Sequence, residues 1–192
     1  MKTDKKILQA AQELLATGGF GAVSFDTIAR SLGISKQAVL YWYPSKQELL
    51  AAMFVSWLAA EADVAMAAIE DTSTSSAAIS AFVKAVAAFH LSDLDRFRMM
   101  YLATQTLKAE IQTPLEGEVL DRIHTTTDRM YGSLANCLEL DPLQARQHAT
   151  SVHSAVLGLI LMFGLADSIK DPLKHSEGAL IAALVTRLTA SV

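Results

Sequence analysis

Residues 24–46 constrain this 192-residue chain more than any other stretch: Ser24-Phe-Asp-Thr-Ile-Ala-Arg-Ser-Leu-Gly-Ile-Ser-Lys-Gln-Ala-Val-Leu-Tyr-Trp-Tyr-Pro-Ser-Lys46. They read as two short helices around a tight turn. Ser24 stands where it can cap the first helix, whose body runs from Thr27 to Leu32. Gly33 supplies the backbone freedom that a sharp turn needs. Ser35 caps the second helix, because its hydroxyl can accept an N–H two or three residues on. Lys36, Gln37, Tyr41 and Trp42 then stand on a helix of a size that suits a DNA major groove.

The rest of the chain is punctuated the same way. Only four prolines occur, against 52% apolar and 19% charged residues, a balance that favours a buried core over disorder. Ile7, Leu8, Ala11, Leu14 and Leu15 recur at helical spacing, and Gly18-Gly19 closes that helix. With Phe20, Val23, Phe25, Ile28, Ala29, Leu32 and Ile34 they can fill a small three-helix core. Ser45 followed by Glu48 is a capping box that opens a helix running to about residue 70. Asp71 to Ser76 is a polar break. Further helices are expected over about 77–91, from Ser92 to about Glu110, over 118–139, from Asp141-Pro142 to about Ala166, and over 174–190. Thr113-Pro114-Leu-Glu-Gly117 reads as a loop. The expectation is an all-α chain of about nine helices: a helix-turn-helix domain over 1–46 and a helical bundle over 47–192.

Charge is divided unevenly. Residues 1–46 hold six Lys or Arg against three acids, a balance of +3, so the net −4 leaves −7 on the remainder. A small basic module on an acidic body is expected where only the first part meets phosphate. The lone Cys137 cannot form an internal disulfide, and a reducing cytoplasmic location is expected. Ser154–Ala166 is uncharged, but shorter than the roughly 20 residues of a membrane span. It reads as a buried helix, with no membrane partner.

Three segments together resemble the tetracycline-repressor (TetR/AcrR-like) family of bacterial transcription regulators: Ala10-Ala-Gln-Glu-Leu-Leu-Ala-Thr-Gly-Gly-Phe20, Ile28-Ala-Arg-Ser-Leu-Gly-Ile-Ser-Lys36 and Tyr41-Trp-Tyr-Pro-Ser-Lys-Gln-Glu-Leu-Leu50. The resemblance covers about residues 7–50, and beyond it the match is one of length and helix count. It implies a homodimer on a palindromic double-stranded DNA operator, usually a repressor, released by a small-molecule effector entering the body. By the same resemblance Lys36, Gln37 and Ala38 open the recognition helix, and Tyr41 and Trp42 approach the backbone or thymine methyls. Lys46 meets a phosphate, and Ser24 and Thr27 lie beside another. The chain departs from the family where Gln37-Ala38 replace Gly or Pro followed by Thr. It departs again where Leu40 and Trp42 stand in place of Tyr and His.

The chemistry agrees with those positions. Helix N-termini attract phosphate, so Ser24/Thr27 and Ser45/Lys46 suit backbone contacts, although capping uses the same atoms. Gln37 can pair with adenine, and Lys36 with guanine or phosphate. One of Tyr41 and Trp42 is expected to pack inward and the other to face DNA.

In the body, Trp57, Phe89, Met100, Tyr101 and Phe163 are candidates to line a pocket, in which Gln105 would orient a largely apolar or aromatic ligand. Other polar candidates are His90, Thr104, His124, Asp128 and His153. Most of these side chains would serve equally well as core or surface. Ser151, Ala155, Gly158 and Leu165 share a face of the helix after Pro142. Leu180, Leu184, Val185 and Leu188 form a stripe on the last helix, so the two helices suit a four-helix dimer interface. No catalytic, metal-binding or cofactor-binding pattern is present: there is no Gly-rich phosphate loop, no His-Glu-x-x-His and no Cys cluster. His148 and His153, five apart, do not share a helical face.

Two rival readings stay open. In one, the regulator has no small-molecule effector and answers to a protein partner. In the other, the chain is a helical-bundle enzyme or carrier whose N-terminal unit docks proteins, and it would lack salt-dependent DNA binding.

Overall fold

The computed structural model describes residues 2–103, 117–171 and 174–190. Among them are nine α-helices, one π-helical turn and no strand. The helices are α1 (Thr3–Ala22), α2 (Phe25–Leu32), α3 (Lys36–Trp42), α4 (Lys46–Ile69), α5 (Ser75–Leu91), α6 (Leu94–Phe97), α7 (Glu118–Asn136), α8 (Pro142–Ile169) and α9 (Glu177–Thr189). The chain falls into two compact units, one of residues 1–58 with 95–122 and the other of 59–94 with 123–192. Their boundaries fall inside α4, α6 and α7.

Local chemistry sets the helix starts. The Thr74 hydroxyl accepts Ala77 N–H, Asp141 Oδ1 accepts Leu143 N–H and Gln144 N–H, and the Ser176 hydroxyl accepts Ala179 N–H. Gly19 (φ 66°, ψ −171°) leaves helical geometry and ends the first helical run where the sequence places its end, and a short helical segment follows to Ala22. Ser92 opens no helix: it ends α5, its hydroxyl donating to Phe89 O at 2.8 Å. The short α6 comes after it, and then a π-helical turn over Arg98–Ala103. The expected 113–117 loop is described only at Gly117, and the side chain of Phe20 lies outside the described residues.

The first unit's core is Ile7, Ala10, Ala11, Leu15, Val23, Ile28, Ala29 and Val39, closed by Leu49 and Met53 from α4. In the second unit α5 lies against α8 and α9. Its core includes Ile79, Phe82, Val83, Val86, Met130, Leu134, Val152, Val156 and Ile160. Two helices, α4 and α8, are apolar and long enough to cross a membrane by length and composition alone. For α8 this goes beyond the short span read from sequence, because its apolar window reaches past Ser154–Ala166. Each nevertheless buries a polar side chain in the second unit, Glu61 in α4 and His153 in α8.

Candidate nucleic-acid interface and the buried polar cluster

The helix-turn-helix is built by reciprocal capping. Ser24 Oγ accepts Thr27 N–H at 3.1 Å, and Thr27 Oγ1 accepts Ser24 N–H at 3.0 Å. The Thr27 hydroxyl lies 2.7 Å from Ala22 O. Both side chains expected at a phosphate thus form a closed local lock at the start of α2. Gly33 (φ 63°) ends α2 in the left-handed region, where a Cβ would be strained. Ile34 N–H then reaches Ala29 O at 3.0 Å, and Ser35 Oγ accepts Ala38 N–H at 3.1 Å to start α3.

α3 buries Val39 alone and leaves Lys36 and Gln37 exposed, with Ala38 half-buried. Tyr41 and Trp42 meet edge to face, ring centres 5.4 Å apart, at 79% and 43% exposure. Neither belongs to the core. The inward aromatic is their neighbour Tyr43, packed on the core with its hydroxyl donating to Asp4 O at 3.3 Å. Burial, then the Asp4 charge, raises the Tyr43 pKa. Ser45 Oγ accepts Glu48 N–H at 3.1 Å to start α4, which places Lys46 in its first turn. Ser24, Lys36 and Lys46 line one concavity of about 240 Å³. Asp26 lines it too, and its Oδ2 holds Lys36 Nζ at 2.8 Å.

The proposed ligand-pocket residues are distributed between the units. Trp57, Met100 and Tyr101 belong to the first, where Trp57 packs on the core and Tyr101 lies against Phe97, ring centres 5.4 Å apart. Phe89 and Phe163 belong to the second. Thr104 and Gln105 lie outside the described residues. Of the polar candidates, Asp128 pairs with Arg146 and His124 is exposed.

His90 and His153 converge on a residue that sequence reasoning missed. Glu61 is fully buried, and its Oε1 lies 3.0 Å from His90 Nε2 and 2.7 Å from His153 Nε2. Burial pushes the Glu61 carboxyl up, but hydrogen bonds from His153 and His90, together with their charge, outweigh it and hold the pKa at about 2. An ionised carboxylate only accepts, so both Nε2 atoms donate. The Tyr131 hydroxyl lies 2.8 Å from His153 Nδ1. Burial first, and then the Glu61 charge, raises the Tyr131 pKa. One carboxylate thereby ties α4 to α5 and α8, and through His153 to α7. Among the described residues no group of three His, Cys, Asp or Glu is placed to hold a metal ion.

On the dimer candidates, α8 leaves Leu161, Met162, Leu165 and Ile169 exposed, with Ser151 and Gly158 also exposed and Ala155 half-buried. α9 buries no residue fully; Leu184 and Leu188 are half-buried.

A capped, Gly-turned helix pair with a polar recognition helix defines a helix-turn-helix protein of the transcription-regulator class. Residues 7–53, about a quarter of the chain, match the family of bacterial regulatory proteins, tetR family. None of the curated proteins matches the sequence. Solved structures share the fold over nearly the whole chain. A Rhodococcus sp. RHA1 protein of unknown function is 18% identical, with TM-score 0.74 over 100% of this chain and 96% of its own. The regulator FadR from Bacillus subtilis, in complex with stearoyl-CoA, is 14% identical, with TM-score 0.69 over 98% of each chain. A TetR variant from Acinetobacter baumannii AYE, in complex with minocycline, is 17% identical, with TM-score 0.64 over 99% of this chain and 93% of its own.

Proposed function

We propose that this chain is a cytoplasmic homodimeric repressor that binds a palindromic operator and leaves it when a small, largely apolar or aromatic ligand enters residues 47–192. Residues 1–46 read the DNA. The observation that carries this reading is α3 itself: it anchors by Val39 while Lys36, Gln37, Tyr41 and Trp42 stay exposed. Lys46 and the Ser24–Thr27 start of α2 supply backbone contacts, which fix register without reading sequence. The exposed apolar strip of α8, with α9, is the surface offered to the second subunit, and it exceeds what scattered surface residues require. Two heads would then address half-sites roughly 34–36 Å apart.

Stearoyl-CoA in one similar structure and minocycline in another support a small-molecule effector. α4 has residues in both units and is the element through which ligand would bias the heads.

The test is selection of bound sequences from random duplex DNA, followed by salt-titrated binding. A palindromic winner with a steep salt slope supports the reading; indifference to sequence and salt overturns it. Gln37→Ala is expected to change the preferred sequence, whereas Lys46→Ala weakens all sequences alike and flattens the slope by about one. Thermal-shift screening of apolar metabolites against the same protein tests the effector.

A further inference from the structure

We propose that Asp26 is an internal competitor for DNA: its carboxylate occupies Lys36 in the place a phosphate would take, and so sets how strongly the recognition helix clings to DNA backbone of any sequence. This rests on the DNA-binding reading above and deepens it.

The geometry is specific to the two residues. Lys36 and Asp26 are ten positions apart, on different helices, and meet at 2.8 Å. Both side chains are about half exposed, at 50% and 60%, so the pair can open at little cost when another anion arrives. It opens into the concavity walled by Val23 and Leu49, which Ser24 and Lys46 also line. A phosphate brought there by Lys46 and the start of α2 therefore meets two features together: a lysine already engaged, and a carboxylate of its own sign. With its charge already balanced by Asp26, Lys36 gives a phosphate its full attraction only when the pair opens, and Asp26 then stays behind as an unpaired like charge beside the strand.

Asp26 plays no part in the packing that forms the helix pair. It is exposed, and the start of α2 is locked by Ser24 and Thr27. Its placement lowers the sequence-independent share of binding, the part carried by phosphate contacts. A carboxylate here thus tunes the head toward reading bases over holding backbone.

Binding of the full-length protein to a non-operator duplex, titrated with salt, tests this. Asp26→Asn is expected to bind about three- to tenfold tighter near physiological salt, with a slope steeper by about 0.9 per head, one further phosphate each. The same change in a Lys36→Met background is expected to leave the slope where Lys36→Met alone puts it. An unchanged or weaker affinity for Asp26→Asn overturns the proposal. So does an equal gain with Met at position 36, which would make Asp26 a through-space repellent instead of a partner. Circular dichroism and melting of each variant confirm that the fold is intact. Salt-dependent binding by the unmodified protein with no response to Asp26→Asn removes this inference alone. Absence of DNA binding by both proteins removes the regulator reading and this one together.

Discussion

Asp26 in the first unit and Glu61 in the second each hold a basic side chain, and their surroundings give them opposite uses. Asp26 and Lys36 meet in water. Their attraction is screened, their side chains keep alternatives, and the pair can open at little cost. Glu61 is shut away from water, where an unpaired charge is far more costly, and two imidazoles crowd one of its oxygens. The first arrangement is a surface contact available to a partner. The second fixes four helices to one another. The same functional group serves recognition or architecture according to the water around it.

Removing Glu61 should break that contrast most visibly. Glu61→Ala leaves two buried imidazole N–H groups without their acceptor, and is expected to cost about 3–5 kcal/mol in urea-unfolding stability. Acid titration sharpens it. The Glu61 pKa is lowered from 4.5 to about 2, so the unfolded chain takes up this proton first. The stability it contributes is complete above pH 4.5 and is lost as pH falls toward 2, up to about 3 kcal/mol in all. Urea midpoints measured from neutral pH down toward the folded-state pKa should show that loss, and Glu61→Gln should lack its share. At the surface the effects shrink. Ser24→Ala should lower stability by about 1 kcal/mol through the lost cap, and Lys36→Met by less than that, each read from thermal melting. A Lys36→Met loss as large as that of Glu61→Ala would erase the distinction between the two carboxylates.

The helix starts are legible in sequence because capping is local. Ser24, Ser35, Ser45 and Asp141 each bond to an N–H two or three residues ahead, well within what a sequence window can see. Tyr43 is harder. Three consecutive aromatics come after Leu40, and only the phase and end of α3 decide which one turns inward. Glu61 is harder still, since its partners are 29 and 92 residues away. One signal is present: Glu61 falls on the same face of α4 as Leu58, Ala62, Ala65 and Ile69, all buried. An acid inside an apolar stripe calls for a buried partner, but periodicity names the face and never the partner. His90 and His153 read from sequence as polar candidates for a ligand; the structure ties both to one shared acceptor. The Lys36–Asp26 pair is hidden for a related reason, because it depends on how α2 and α3 cross.

Leu49 and Met53 bear on how such a chain can be recombined. Both are fully buried in the first unit's core, yet both lie on α4, beyond the helix-turn-helix itself. A hybrid regulator spliced at residue 46 would hand those two positions to a foreign helix, whose side chains were never fitted to Ile7, Val23 and Val39. A splice after Leu58 would carry the native pair along. On the proposed function, DNA preference is thus an inheritable block longer than the helix-turn-helix, and exchange between relatives should respect that length.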